Sequence, residues 1–175
     1  MRDLSAAIRT IPDFPAPGIQ FRDITTLLLD GAAFGACIEQ LAAVVGEDFN
    51  LVAGIEARGF VFAAALAHSL GKGVLLLRKR NKLPGATLGV NYALEYGQDR
   101  IEMHADAVAP GTRVLLVDDL IATGGTAKAG AALIRQAGGV VVRAAFVIDL
   151  PDLGGADALR ADGVEVVALV AFAGH

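Results

Sequence analysis

Apolar positions in the first part of the chain recur at helical spacing. Leu4, Ile8 and Ile11 share one face, and Pro12 predicts the end of a short N-terminal helix. Phe34, Ile38, Leu41 and Val45 predict a second helix over residues 32–45. After residue 48 the pattern changes. Residues 51–55 (LVAGI), 73–77, 113–117, 140–148 and 164–172 are short runs that are almost wholly apolar, and each predicts a strand. Between them, residues 59–70 read as a helix apolar on most sides, placing His68 in a buried position. Residues 126–137 read as a helix with Leu133, Ile134 and Ala137 inward, closed by Gly138. Strands apolar on both faces, alternating with helices, predict an α/β doubly wound fold: a mainly parallel twisted sheet with flanking helices.

The expected organisation is one domain over residues 1–175. An N-terminal lobe, or hood, covers 1–47, and the α/β core covers 48–175. Residues 81–103 interrupt the alternation with a long polar stretch, and "TLGVNYALEYG" followed by "RIEM" predicts two extended arms of a flexible flap.

Composition narrows the class. A 54% hydrophobic content and mean hydropathy of +0.54 support an aliphatic core and exclude a disordered chain. The net charge of −4 argues against a nucleic-acid binder with a broad basic surface. With Cys37 alone there is no internal disulfide, and a reducing cytoplasm is the expected location. The longest uncharged apolar stretch, residues 59–71, is shorter than the about 20 residues a membrane span needs, and residues 1–14 carry no hydrophobic signal region.

The stretch "VLLVDDLIATGGT" (residues 114–126) concentrates the candidate chemistry. In an open parallel sheet, ligands bind beyond the carboxyl ends of strands, where Asp118 and Asp119 fall. The loop Ala122, Thr123, Gly124, Gly125 and Thr126 then enters a helix. Its backbone N–H groups, the helix N-terminus and two hydroxyls suit a phosphate. Two carboxylates beside a phosphate cradle suit the vicinal hydroxyls of a ribose. There is no G-x-x-x-x-G-K-[ST] and no G-x-G-x-x-G opening a helix, so neither a P-loop nor a dinucleotide site is supported. On spacing alone, a plain strand–loop–helix turn with surface acids stays open.

This stretch resembles the phosphoribosyl pyrophosphate (PRPP) signature of type I phosphoribosyltransferases. Further segments resemble the adenine phosphoribosyltransferase family in particular: "DFPAPGIQFRDIT", "EARGF", "RKRNKLPG", "YALEYG" and "FAGH", which together span essentially the whole chain in order. The resemblance implies that Asp118 and Asp119 hold the ribose and that residues 122–126 hold the 5′-phosphate. Arg58, Lys79 and Lys82 would meet pyrophosphate, and Arg78 would reach it from the neighbouring subunit of a homodimer. The run Arg78 to Lys82 holds four of the fifteen Lys and Arg on a net acidic chain, which suits a polyanion, although a solvated turn is the ordinary reading. A cis peptide is implied between Ala57 and Arg58. Phe21 would stack on adenine, with the backbone around Gln20 and Arg22 reading the base edge. Glu95 would handle the purine proton, with Tyr96 closing beside it. Mg²⁺ would be carried mainly by PRPP, with no protein metal ligand.

Relatives acting on 6-oxopurines use a lysine on the strand after the phosphate loop. Here the last lysine is Lys128, inside the loop's own helix, and Arg143 lies mid-strand, which favours adenine. A phosphoribosyltransferase for another purine such as xanthine is the alternative enzyme. A PRPP-sensing regulator without catalysis is the alternative of another class, and the N-terminal segment shows no basic recognition helix for it.

Overall fold

A small ribbon and a large sheet organise the chain; the computed structural model describes residues 3–93 and 97–174. The ribbon pairs β1 (Arg9–Pro12) antiparallel with β2 (Gln20–Asp23), setting Ile11 opposite Phe21 and Thr10 opposite Arg22. The expected N-terminal helix is therefore corrected. Only a 3-10 turn at Ser5–Ala7 forms, and the next four residues are extended. Long-range pairing overrides the local period here. The Arg9 amide donates to Thr26 Oγ1, whose hydroxyl donates to the Ala7 carbonyl, so the segment is held from both sides.

Helix α1 (Thr25–Leu29) leads into α2 (Gly31–Val45), which starts where it does because Asp30 accepts from the amides of Ala32 and Ala33, each at 3.0 Å. The core follows as β3 (Leu51–Ile55), α3 (Gly59–Ser69), β4 (Gly73–Lys79), β5 (Thr87–Ala93), β6 (Gln98–His104), β7 (Arg113–Ile121), α4 (Gly125–Gln136), β8 (Val140–Asp149), α5 (Gly155–Ala161) and β9 (Glu165–Ala171). The sheet order is β5-β6-β4-β3-β7-β8-β9. Strands β4, β3, β7, β8 and β9 run parallel, while β6 is antiparallel to both β4 and β5. The predicted extended arms are thus a hairpin, and its second arm is tied into the sheet by the buried Ile101 and Met103.

Two apolar layers cover the sheet. On one face α4 and α5 pack Leu133, Ile134 and Leu159 over Ile55, Leu77, Leu116 and Phe146. On the other, α2 and α3 pack Leu41, Phe62 and Leu66 over Val52, Leu115, Val117 and Val147, and the N-terminal Leu4, Ile24 and Leu27 join this layer. The helix following β3 leads to β4 on one side, and the helix following β7 leads to β8 on the other. The carboxyl ends of β3 and β7 therefore lie side by side where the winding reverses, which is where an open α/β sheet leaves a crevice.

Two further expectations are revised, and one helix was not read at all. His68 is exposed in the last turn of α3 instead of buried, because only the side carrying Phe62, Ala63, Leu66 and Ala67 faces the sheet. Strand β7 runs four residues past Val117, because β8 continues alongside and pairs Leu120 with Ile148 and Ile121 with Asp149. Helix α5, only seven residues and rich in small side chains, carries too little periodicity to be read from sequence. Among the described residues, no helix is long and apolar enough to cross a membrane.

Candidate active site at the β3–β7 crevice

Two adjoining cavities open at the crevice. The smaller, about 190 Å³, is lined by Asp118, Leu120, Ile121 and residues 122–127. The larger, about 440 Å³, is lined by Ile19, Gln20, Phe21, Arg22, Arg58, Leu120, Ala122, Thr123, Leu150 and Leu153. Leu120, Ala122 and Thr123 belong to both, so the cavities share a wall.

The small cavity is built from one continuous segment. Strand β7 delivers Asp118 and Asp119 to the crevice, Gly124 turns the chain at φ 82°, and α4 begins at Gly125. Ala122, Thr123, Gly124, Gly125 and Thr126 thus line the cavity at the amino end of a twelve-residue helix, where unpaired N–H groups favour an anion. Lining residues and helix polarity together suit a phosphate.

The two carboxylates have different surroundings. Asp119 is 5% exposed and accepts from Arg58 Nε at 2.5 Å. Asp118 accepts from the Asp119 amide at 2.9 Å and packs on the start of α3. A Cβ on Gly59 would lie 2.7 Å from Asp118 Oδ1, so glycine is needed for that approach. Burial, and then the neighbouring Asp119 charge, push the Asp118 carboxyl well above its usual range. Partial burial works against the Arg58 charge, but the hydrogen bond it donates to Asp119, together with the charges of the nearby carboxylates, keeps the guanidinium above its ordinary value. Arg58 is the residue before α3, so the end of β3 and the end of β7 are joined by this ion pair. The cis peptide in this turn joins Glu56 to Ala57; the expectation of one between Ala57 and Arg58 is corrected by one residue.

The large cavity is assembled from distant segments. Phe21 on β2 meets Phe14 edge-on, with ring centroids 5.2 Å apart, while remaining part of the lining. Gln20 and Arg22 flank it. Arg22 donates to Thr10 Oγ1 at 2.6 Å, and its guanidinium lies 4.4 Å from the Phe172 ring centroid. Its side chain is therefore held by β1 and the C-terminal segment. Ile19, Leu120, Leu150 and Leu153 complete an apolar wall. Sequence reasoning missed these four, because an isolated apolar residue beside a strand end has no signature that separates lining from core.

The basic run divides. Arg78 Nε donates to Glu56 Oε2 at 3.2 Å, and the Lys79 amide donates to the same oxygen at 2.9 Å. Lys79 Nζ turns to the hairpin, donating to the Tyr92 hydroxyl at 2.5 Å and forming a close ion pair with Asp99. Lys82 is exposed, and its carbonyl accepts from Arg78. None of these three lines either cavity in this chain. Tyr92 also lies near Gly125, about 4.0 Å from where its Cβ would be, so the hairpin's first arm borders the phosphate-suited loop. Glu95 and Tyr96 fall outside the described residues.

Comparisons with known proteins agree with this geometry. The phosphoribosyl transferase domain model matches residues 26–171. Adenine phosphoribosyltransferase of Bradyrhizobium sp. (strain BTAi1) is 58% identical over 174 residues, covering 99% of this chain and 97% of the relative. The enzyme of the same name from Chelativorans sp. (strain BNC1) is 58% identical over 173 residues, covering 98% and 96%. Among solved structures, the adenine phosphoribosyltransferase of Thermoanaerobacter pseudethanolicus matches with a TM-score of 0.91 at 48% identity, covering 97% of this chain and 98% of that one. With a phosphate-suited strand–loop–helix turn beside a second, largely apolar cavity, the chain belongs to the phosphoribosyltransferases, and within them to the adenine phosphoribosyltransferase family.

Proposed function

We propose that the chain performs its family's reaction by dividing it between the two joined cavities: the 5-phosphoribosyl group of PRPP passes to adenine, giving AMP and pyrophosphate in purine salvage. The observation that carries this reading is the shared wall of Leu120, Ala122 and Thr123, which sets a phosphate-suited cavity against a largely apolar one of base size. Residues 122–126 hold the 5′-phosphate, and Asp118 and Asp119 accept from the ribose hydroxyls. Arg58 lines the base cavity while paired to Asp119, so it stands between base and ribose and can turn to pyrophosphate. Adenine lies against Phe21, with Gln20 and Arg22 at its edge.

In the transfer, the bond from C1′ to pyrophosphate breaks, its electron pair leaves with pyrophosphate, and C1′ takes on oxocarbenium-like character. N9 of adenine bonds C1′ from the other side, and the purine proton passes to Glu95 as Tyr96 closes beside it. Arg58 and the Arg78, Lys79 and Lys82 cluster neutralise the departing charge. Lys79 must exchange Asp99 and Tyr92 for pyrophosphate to do so. Excluding water protects PRPP from hydrolysis.

Mg²⁺ would arrive on PRPP, carried mainly by the substrate's own oxygens and water, and would supply charge neutralisation at the pyrophosphate. The donor set supports this. Asp119 is engaged by Arg58 and Asp118 by a backbone amide.

Base choice follows from β8. No lysine stands toward its carboxyl end, and Arg143 sits mid-strand, donating to Glu165 at 2.6 Å. A 6-oxopurine therefore lacks a lysine on this strand to meet its carbonyl. The working unit is a single domain over 1–175, with residues 1–47 as a base-binding hood and 81–103 as the flap. It works as a homodimer in which Arg78 serves the neighbouring site. Exposed Val61 (42%), Val74 (39%) and Leu76 (43%) support that assembly, since β4 turns Val74 and Leu76 to the side of the sheet that α3 covers. Leu76→Asp should yield a monomer by sedimentation with weakened PRPP turnover; a dimer would remove this face from the interface. A buried, unpaired Cys37 accords with a reducing cytoplasm.

The deciding test offers adenine, hypoxanthine, guanine and xanthine separately with PRPP and Mg²⁺, assaying nucleotide and pyrophosphate. AMP from adenine alone is expected. Turnover of a 6-oxopurine instead would overturn the base assignment.

A further inference from the structure

Segment 150–155 runs behind the loop that lines the small cavity, and two hydrogen bonds join it to that loop's strand. The Leu150 amide donates to the Ile121 carbonyl and the Gly155 amide to the Ala122 carbonyl, each at 3.0 Å. Its first half, Leu150 and Leu153, faces the base cavity. Its last residue, Gly155, touches the phosphate-suited loop itself.

The contact is backbone against backbone. A Cβ on Gly155 would lie 2.3 Å from the Ala122 carbonyl oxygen, 2.6 Å from the Gly124 nitrogen and 2.8 Å from the Thr123 carbonyl carbon. The approach is reciprocal, since a Cβ on Gly124 would lie 2.9 Å from the Gly155 carbonyl oxygen. Gly124 also needs a left-handed backbone, at φ 82°. Gly155 does not; its φ is outside the positive region, so space alone requires glycine there. Gly154, left-handed at φ 72° with nothing near its missing side chain, ends the 3-10 turn Pro151–Leu153 and aims Gly155 at the loop.

We propose that Gly155 is a positioning residue, whose bare backbone presses the Ala122–Gly124 peptides into the shape that holds the 5′-phosphate. This rests on the loop being the phosphate site. An anion held by amides is sensitive to their direction, and a rigid brace directs them before the ligand arrives. A side chain at 155 cannot be accommodated by a rotamer change, because the three atoms nearest to it are all main chain. The loop or α5 must move. Since Leu150 is buried and α5 packs Ala156 and Leu159 into the core, the loop is the freer partner.

The test compares AMP with adenosine, which differ by the 5′-phosphate alone. Gly155→Ala should lower AMP affinity at least about tenfold, the loss expected from one or two misaligned charge-assisted hydrogen bonds. Adenosine affinity should change little. An unchanged AMP-to-adenosine ratio would overturn the proposal. Gly163→Ala, at the far end of α5 with φ 81° and open space, strains the same element without touching the loop. It should keep the wild-type ratio; an equal fall would reduce Gly155 to a stability effect. Thr126→Ala separates the two readings. If it leaves AMP affinity unchanged, the loop is not the phosphate site and the parent reading fails. If it weakens AMP while Gly155→Ala does not, only the brace fails. Should Gly155→Ala not fold, hydrogen exchange of the Gly155 amide in the unmodified protein decides. Saturating AMP should slow it at least about tenfold relative to adenosine, and equal protection by both ligands would refute the brace.

Discussion

The two halves of the site are made in opposite ways. The half proposed for the phosphoribosyl group is nearly one uninterrupted stretch, Asp118 to Thr126, presented by a buried strand and received by a helix. The half proposed for the base gathers Phe21 from the ribbon, Arg58 from the β3 turn and Leu150 and Leu153 from beyond β8. A phosphate can be held by backbone amides and a helix end, which a few adjacent residues supply. A flat apolar base must be enclosed from several sides, which needs residues that only folding brings together.

Substitutions should separate these halves. The largest effect is expected at neither. Glu95→Gln should lower kcat about 10²–10⁴-fold in steady-state assays while leaving the KM values for PRPP and adenine near normal. A large rise in either KM would make Glu95 a binding residue. Next, Asp119→Asn should weaken PRPP by about 1.5–3 kcal/mol in calorimetry, since it removes the charged partner of Arg58 as well as a ribose acceptor. Unchanged PRPP affinity would refute the ribose assignment. Phe21→Ala should raise the adenine KM by the equivalent of about 1–3 kcal/mol, the scale of base–aromatic stacking, and leave PRPP binding intact. A matching loss of PRPP affinity would show the two halves to be one unit.

The smallest effect concerns the footing of the β1–β2 ribbon. Asp23 accepts from the Thr25 hydroxyl and amide and from Arg9, and these bonds, the hydroxyl's first, bring its pKa down from 3.8 to about 2. A folded pKa below the unfolded one adds stability that is present above about pH 4 and is lost as pH falls toward 2. Asp23→Asn should therefore be less stable than wild type at pH 7 in urea unfolding. The difference should shrink between pH 4 and 2. A difference independent of pH would mean that Asp23 acts through packing alone.

Legibility in the sequence followed the same division. Strands β3, β7 and β8 were readable because a strand buried on both faces is apolar without interruption, and β4 and β9 carry the same apolar run although one face of each is partly exposed. The hairpin was readable as two polar arms. Its anchoring to β4 was not, because Ile101 and Met103 look like any alternating pair. His68 was misplaced because an apolar helix need not be buried all round, and α3 leaves Val61 and Ala64 exposed beside it. Gly155 gave no usable signal, since a Gly-Gly pair before a short helix reads as a turn whether or not another backbone passes 3 Å away.

What the sequence determined alone is the order and spacing of Asp118, Asp119 and the loop to Thr126, together with the alternation that puts them toward a strand's carboxyl end. These depend on spacing along the chain, which short-range geometry converts directly into position. Tertiary structure decided that residues 9–12 are strand and not helix, and that Lys79 rests on Asp99 and Tyr92. It also decided that Phe21 and Leu153 share a cavity with Arg58. Each of these depends on which distant segment arrives alongside, and that is settled by the burial of the whole core rather than by any local preference.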